Sequence, residues 1–133
     1  MTRVNIKRVK VKKNPKRKTL MNKCDDKWRA IIHTKVKCER CPNPGTDAHH
    51  VIGRKNFNLR WDIRNGCLLC ASCHEFGRFS AKNDPLGFAD WFMTSRPEDY
   101  FYLMQKKNEL WDKDYDKVLE YLNIMESEEV KKL

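Results

Sequence analysis

The chain lacks any apolar run approaching the roughly 20 residues that a membrane-spanning helix needs, so a helical membrane protein is not expected and a soluble one is. It also lacks an apolar stretch behind its basic beginning, which removes the pattern of a secretory leader. A cytoplasmic, reducing setting is therefore expected, with no membrane partner. No internal repeat is visible. Acidic residues are absent from positions 1–23, which hold ten Lys and Arg, whereas the other 110 residues carry 18 charges of each sign. The net charge of +10 thus sits in an appendage, the way many proteins carry a non-specific handle for a polyanion. With 133 residues, 35% of them charged, the rest suits one modest domain or one domain with an extension.

Six cysteines are present. Four form two pairs, Cys38-Glu-Arg-Cys41 and Cys70-Ala-Ser-Cys73, separated by 28 residues. In a reducing compartment two C-x-x-C elements read as one tetrahedral zinc site, because two intervening residues let each pair of thiolates close on one ion. A redox pair or disulfides are the alternatives. Cys24 and Cys67 stand alone and read as small buried side chains.

Pattern along the chain predicts an α+β fold in three parts: a basic arm (1–23), a zinc-bearing core (24–96) and a helical extension (97–133). The arm contains Val4, Ile6, Val9 and Val11 among cations, compatible with a short strand near 4–11, and reads as flexible unless bound. Trp28, Ile31, Ile32 and Val36 predict a helix from Asn22 to Val36. Asp47–Gly53 reads as a short segment that leans to β at its end and Asn65–Leu69 as the returning strand, joined by a loop that Phe57, Leu59 and Trp61 pin. Ala71 to about Phe79 reads as a short helix carrying Cys73 and His74. Asp84 as N-cap and Pro85 behind it open a helix to 95 that buries Leu86, Phe88 or Ala89, and Phe92. A helix from Pro97 through Trp111 would present Tyr100, Leu103, Met104 and Leu110. A last one, near 114–126, would use Val118, Leu119, Leu122 and Met125.

Three of the four histidines lie between or beside the cysteine pairs. The doublet His49-His50 is followed by Asn65 after 14 residues and by His74 after eight more. In this order the chain resembles the HNH endonucleases, whose ββα-metal motif reads His-His, Asn, His, and in particular the zinc-bearing subgroup that brackets the motif with two C-x-x-C pairs. The resemblance spans residues 38–74, and the stretches Ala48–Arg54 and Trp61–Gly66 look like small phage-type HNH proteins.

What the resemblance implies is a ββα-metal fold and metal-dependent hydrolysis of DNA phosphodiester bonds, by nicking or double-strand cleavage. His49 and His74 would hold the catalytic ion and His50 would be the general base. Asn65 would orient that base or help hold the metal. An imidazole suits proton abstraction near pH 7, and a divalent ion relieves charge on the phosphoryl and leaving oxygens. Where some relatives have a further histidine, this chain has Arg78. A two-histidine site completed by Asn65, water and phosphate favours Mg²⁺ or Mn²⁺, with Ni²⁺ or Zn²⁺ as alternatives. Neighbours on a regular strand point to opposite faces, so His49 and His50 share a site only at a twisted or terminal position. Arg54, Lys55, Arg60, Arg64 and Arg78, with Lys12, Lys13, Lys16, Arg17 and Lys18 of the arm, are candidate DNA contacts, a solvated face being the plain alternative. His33 reads as structural. A non-catalytic, zinc-stabilised DNA-binding module, or a docking component of a larger DNA-processing complex, are the competing functions.

Overall fold

The computed structural model describes residues 15–132. Helix α1 (Pro15–His33) opens on a proline, whose missing N–H costs nothing in a first turn. Cys24, Trp28, Ile31 and Ile32 recur at helical spacing and are all buried. The helix thus starts earlier than the pattern predicts, and residues 15–23 of the expected arm belong to it; the remainder, with the expected strand near 4–11, lies outside the described residues. It also stops earlier. Val36 adopts φ of 65°, a left-handed conformation that no helix tolerates, and its side chain is exposed rather than packed.

Two four-residue strands follow, β1 (Asp47–His50) and β2 (Gly66–Leu69), paired antiparallel in the register Asp47↔Leu69 to His50↔Gly66. Because side chains alternate across a sheet, this register assigns each residue a face. Cys67 and Leu69 join a core with Leu59, Phe88, Phe92 and Leu103. Leu68 joins a second core with Trp28, Ile32, Trp61, Tyr115 and Leu122. The hairpin is the middle layer between them, which is why β2 is buried along its whole length. α1 lies so close to β2 that a Cβ added at Gly66 would fall 2.6 Å from Ile32 Cγ1 and 2.9 Å from Trp28 Cζ2. Glycine is the only residue this approach admits.

After the hairpin, Ser72–Phe76 makes a single wide, π-type helical turn, shorter than the helix expected to Phe79. α2 (Pro85–Ser95) is capped by Asp84, whose carboxylate accepts from Gly87 N at 3.1 Å. Phe88 and Phe92 are its buried positions, and Leu86 is exposed, contrary to expectation. α3 (Pro97–Lys106) buries Leu103 but leaves Met104 in solvent, and it ends before Leu110, which is 97% exposed. α4 (Tyr115–Lys131) packs Tyr115 and Leu122 into the α1 core. The C-terminal segment therefore completes the core rather than extending from it. Among the described residues no helix is long and apolar enough to cross a membrane.

Two polar clamps hold these layers. Arg96, at the α2–α3 junction, pairs with Asp99 at 2.7 Å and donates to Gly66 O at 2.8 Å and Arg64 O at 3.1 Å. Asp25 of α1 accepts two bonds from the Arg60 guanidinium, at 2.9 and 2.7 Å, and one from Trp61 Nε1 at 2.8 Å. Burial raises the Asp25 carboxyl, but the Arg60 and Trp61 hydrogen bonds outweigh it and hold it below the usual carboxylate range. A depressed carboxyl contributes stability above its unfolded value, about 3.9, and loses it as pH falls through the folded value. Asp25→Asn leaves the largely buried Arg60 uncompensated and should cost about 3 kcal/mol at pH 7. In urea titrations the gap between parent and variant should stay constant from neutral pH to about 5 and close below about 4; a gap independent of pH would remove Asp25 from this role.

Candidate metal centre and histidine site

The four paired cysteines come together where the hairpin is open. Cys38 and Cys41 precede β1, Cys70 and Cys73 follow β2, and all four sulfurs lie within 4.8 Å of one another. Cys41 Sγ is 3.5 Å from Cys70 Sγ, near the edge of about 3.8 Å that a tetrahedral zinc–thiolate site requires. None of the six cysteines forms a disulfide. Backbone N–H groups of Cys70, Arg40 and Cys41 pull the Cys38 thiol down against the burial that raises it, whereas burial and the neighbouring thiols push the Cys73 thiol up. Spacing and donor chemistry fit a metal ion such as zinc. Cys24 and Cys67, both fully buried, stand apart from the cluster; burial first, then the Asp25 charge, raises the Cys24 thiol to about 11.

The register separates the histidine doublet. His49, opposite Cys67, faces the α2 side, where its ring meets His74 and Phe88 edge-on, each at a centroid distance of 5.0 Å. Asp47, two residues earlier and so on the same face, accepts from His74 Nδ1 at 2.8 Å. That bond places a hydrogen on Nδ1, so Nε2 is the nitrogen turned to any metal, the usual arrangement behind a metal-ligating histidine. Burial, then the neighbouring His74 and His50, lowers the His49 imidazole to about 4, so it is neutral at pH 7. These two rings with Asp47 form a half-site. Among the described residues only the four cysteines form a cluster of three or more donors close enough for one ion.

His50, opposite Gly66, faces α1 instead and stacks on Trp28, the ring centroids 4.0 Å apart and the planes 11° from parallel. Its Nε2 is 2.9 Å from Arg60 O. A carbonyl only accepts, so Nε2 carries the hydrogen and Nδ1 keeps its lone pair. Burial, with help from the Arg60 and Arg54 charges, lowers the ring to about 4. The tautomer is held in turn by the Asp25 clamp on the Arg60 guanidinium. The doublet is thus divided between two faces of a regular ladder, although His50 occupies the terminal position of β1.

Asn65 occupies a different place from the one expected. It is fully buried, its Oδ1 accepts from Ile52 N at 2.7 Å, and its Nδ2 donates to Ile52 O at 2.9 Å and Leu59 O at 3.1 Å. Neither ring of the doublet touches it. Both of its N–H donors and one bond to its oxygen go to closing the loop between the strands, so it positions the loop.

The basic candidates divide likewise. Arg60 is committed to Asp25 with a side chain only 12% exposed. Arg64 is exposed but lies over the Tyr102 ring at 4.4 Å, with Asp99 at 3.8 Å. Arg54 and Lys55 stand in solvent at the loop, and Arg78 is exposed over Phe79. Lys16, Arg17 and Lys18 are exposed on the first turns of α1, whereas Lys12 and Lys13 lie outside the described residues. Sequence reasoning overlooked Asp47 and Asp25. For Asp47 the signal existed, since a carboxylate two residues before a histidine on a strand shares its face. No family model, no curated protein and no solved structure matches the chain.

Purified protein should carry close to one equivalent of zinc by elemental analysis, and Cys38→Ser should lose it together with the cooperative melt; a zinc-free protein, or a variant that melts like the parent, would overturn the assignment. Asn65→Ala removes the partner of three buried or part-buried backbone groups, at about 1 kcal/mol each. A loss of about 3 kcal/mol in urea titrations is expected, with zinc content unchanged.

Proposed function

We propose that the chain is a metal-dependent endonuclease of the HNH type, acting on DNA phosphodiester bonds. The observation that carries this reading is the state of the three histidines. His50 and His74 are each held at one ring nitrogen by a specific partner, and His49 and His50 are buried and neutral, which suits imidazoles that would bind a metal or take a proton.

His49 and His74 would hold the divalent ion, which when bound supplies Lewis-acid relief of charge on the phosphoryl and departing oxygens. Asp47 fixes the His74 ring for this purpose. His50 takes the proton of the attacking water on Nδ1 while Arg60 O keeps Nε2–H in place. The water oxygen forms its bond to phosphorus, and the bond from phosphorus to the 3′ oxygen breaks. With Asn65 engaged in closing the loop, the ligands proposed here are imidazole nitrogens. That set favours Mn²⁺, Ni²⁺ or Zn²⁺ over Mg²⁺, which revises the preference drawn from sequence. A binding module without chemistry is the second reading, and the placement of His49 and His50 on opposite faces is what favours it.

Supercoiled plasmid incubated with each metal separates the two. Relaxed or linear product is expected with Mn²⁺ or Ni²⁺ and more slowly with Mg²⁺. His50→Ala should lower the rate by about 10²–10⁴-fold with zinc content and DNA affinity retained. His49→Ala and His74→Ala should instead raise the metal concentration needed. Cleavage by His50→Ala at the parental rate, or none by the parent with any ion, would sink the enzyme reading.

A further inference from the structure

Beyond the histidines, the turn that carries His74 displays two phenylalanines to water. Phe76 is 78% exposed and Phe79 64%. The loop that presents them is firmly built. Gly77 N donates to Ser72 O at 2.8 Å, Ala81 N to Cys73 O at 2.9 Å and Lys82 N to His74 O at 3.2 Å. Ser80, itself buried, donates to Glu75 O at 3.1 Å, and Asn83 Nδ2 reaches Gly77 O at 2.9 Å and Glu75 O at 3.1 Å. A segment so braced, with its rings outside, is a surface rather than a frayed end of core.

Between this loop and the first cysteine pair runs a groove of about 380 Å³, lined by Arg40, Ser72, Arg78, Phe79 and Ser80 among others. The Arg78 guanidinium lies 5.6 Å from the centre of the Phe79 ring. Arg40 donates to Phe79 O and lies 5.7 Å from the Trp91 ring centre. Neither guanidinium pairs with a carboxylate among the described residues. Two cations without acids, an exposed ring and a hydroxyl at one groove match the parts of a nucleotide: guanidinium for phosphate, an aromatic face for a base.

Resting on the reading that this chain acts on DNA, we propose that the groove takes one unstacked nucleotide of a DNA strand. Its phosphate lies on Arg78 and Arg40 and its base on Phe79. The favoured substrate is then DNA with an unpaired or frayed segment rather than uninterrupted duplex, since a base inside the stack cannot reach a ring.

The test is equilibrium binding of the full chain, without added divalent ion, to a single strand, a gapped duplex and an intact duplex. Parent protein should prefer the first two. Phe79→Ala should weaken those by about 5- to 100-fold and leave intact duplex nearly unchanged, whereas Phe79→Trp should keep the preference. Arg78→Ala should flatten the salt dependence on single strand by about 0.7. An exposed ring is not needed for folding, so an unchanged thermal midpoint checks each variant. Equal affinity for gapped and intact duplex, an equal loss on both in Phe79→Ala, or no binding of any DNA overturns the proposal. The two readings fail separately: Phe79-dependent preference without metal-dependent cleavage supports the groove and refutes the nuclease, and cleavage without that preference does the reverse.

Discussion

Everything in this fold depends on what happens at the open end of a hairpin only four residues long. A two-stranded ribbon of that length is not stable alone in water, and its loop end already needs a buried amide, Asn65, to stay shut. At the other end the chain leaves in two directions, and the four thiols draw both back to one point. That closure fixes the first turn after β2, and with it His74, against the face of β1 that carries Asp47 and His49. Without it, His74 would be held beside His49 by its hydrogen bond to Asp47 and by ring contacts alone.

The histidines are arranged by a second constraint, that a buried imidazole must be neutral or paired. His49 and His50 are both pushed toward the neutral form, mostly by burial. Their neighbours then decide which nitrogen is basic. Asp47 does so for His74 directly. For His50 the decision runs through the backbone: Asp25 holds the Arg60 guanidinium, and the Arg60 carbonyl holds Nε2. An acid in α1 and a carbonyl in the loop thus converge on one ring, which is why α1 belongs to the site as much as the hairpin does.

How much of this was legible follows from which interactions are local. The cysteine cluster could be read from spacing because two residues between thiols have a single geometric meaning near a metal. The strands showed through their positions between turn residues, and the Asp84 cap with Pro85 marked the α2 start correctly. Helix ends were misplaced where no local signal exists: Val36 fits the apolar period of α1, yet the chain must turn there to reach Cys38. Leu86, Met104 and Leu110 fit helical stripes but face solvent, because periodicity records a possible face and not the presence of something to pack on it. Asn65 stands at the expected spacing in the sequence, while its partners, Ile52 and Leu59, are set by loop closure that no spacing encodes.

The same logic sorts the cations, and it explains why net charge alone says little about a polyanion surface. Arg60 and Arg96 are buried among carboxylates and carbonyls, where losing their acids would leave a stranded charge. They hold layers together and have nothing left for a ligand. Arg54, Lys55 and Arg78 have no such acid among the described residues and stand in solvent, on the loop beyond β1 and on the turn beyond His74. The uncommitted cations therefore sit on the segment that follows His50 and on the one that follows His74.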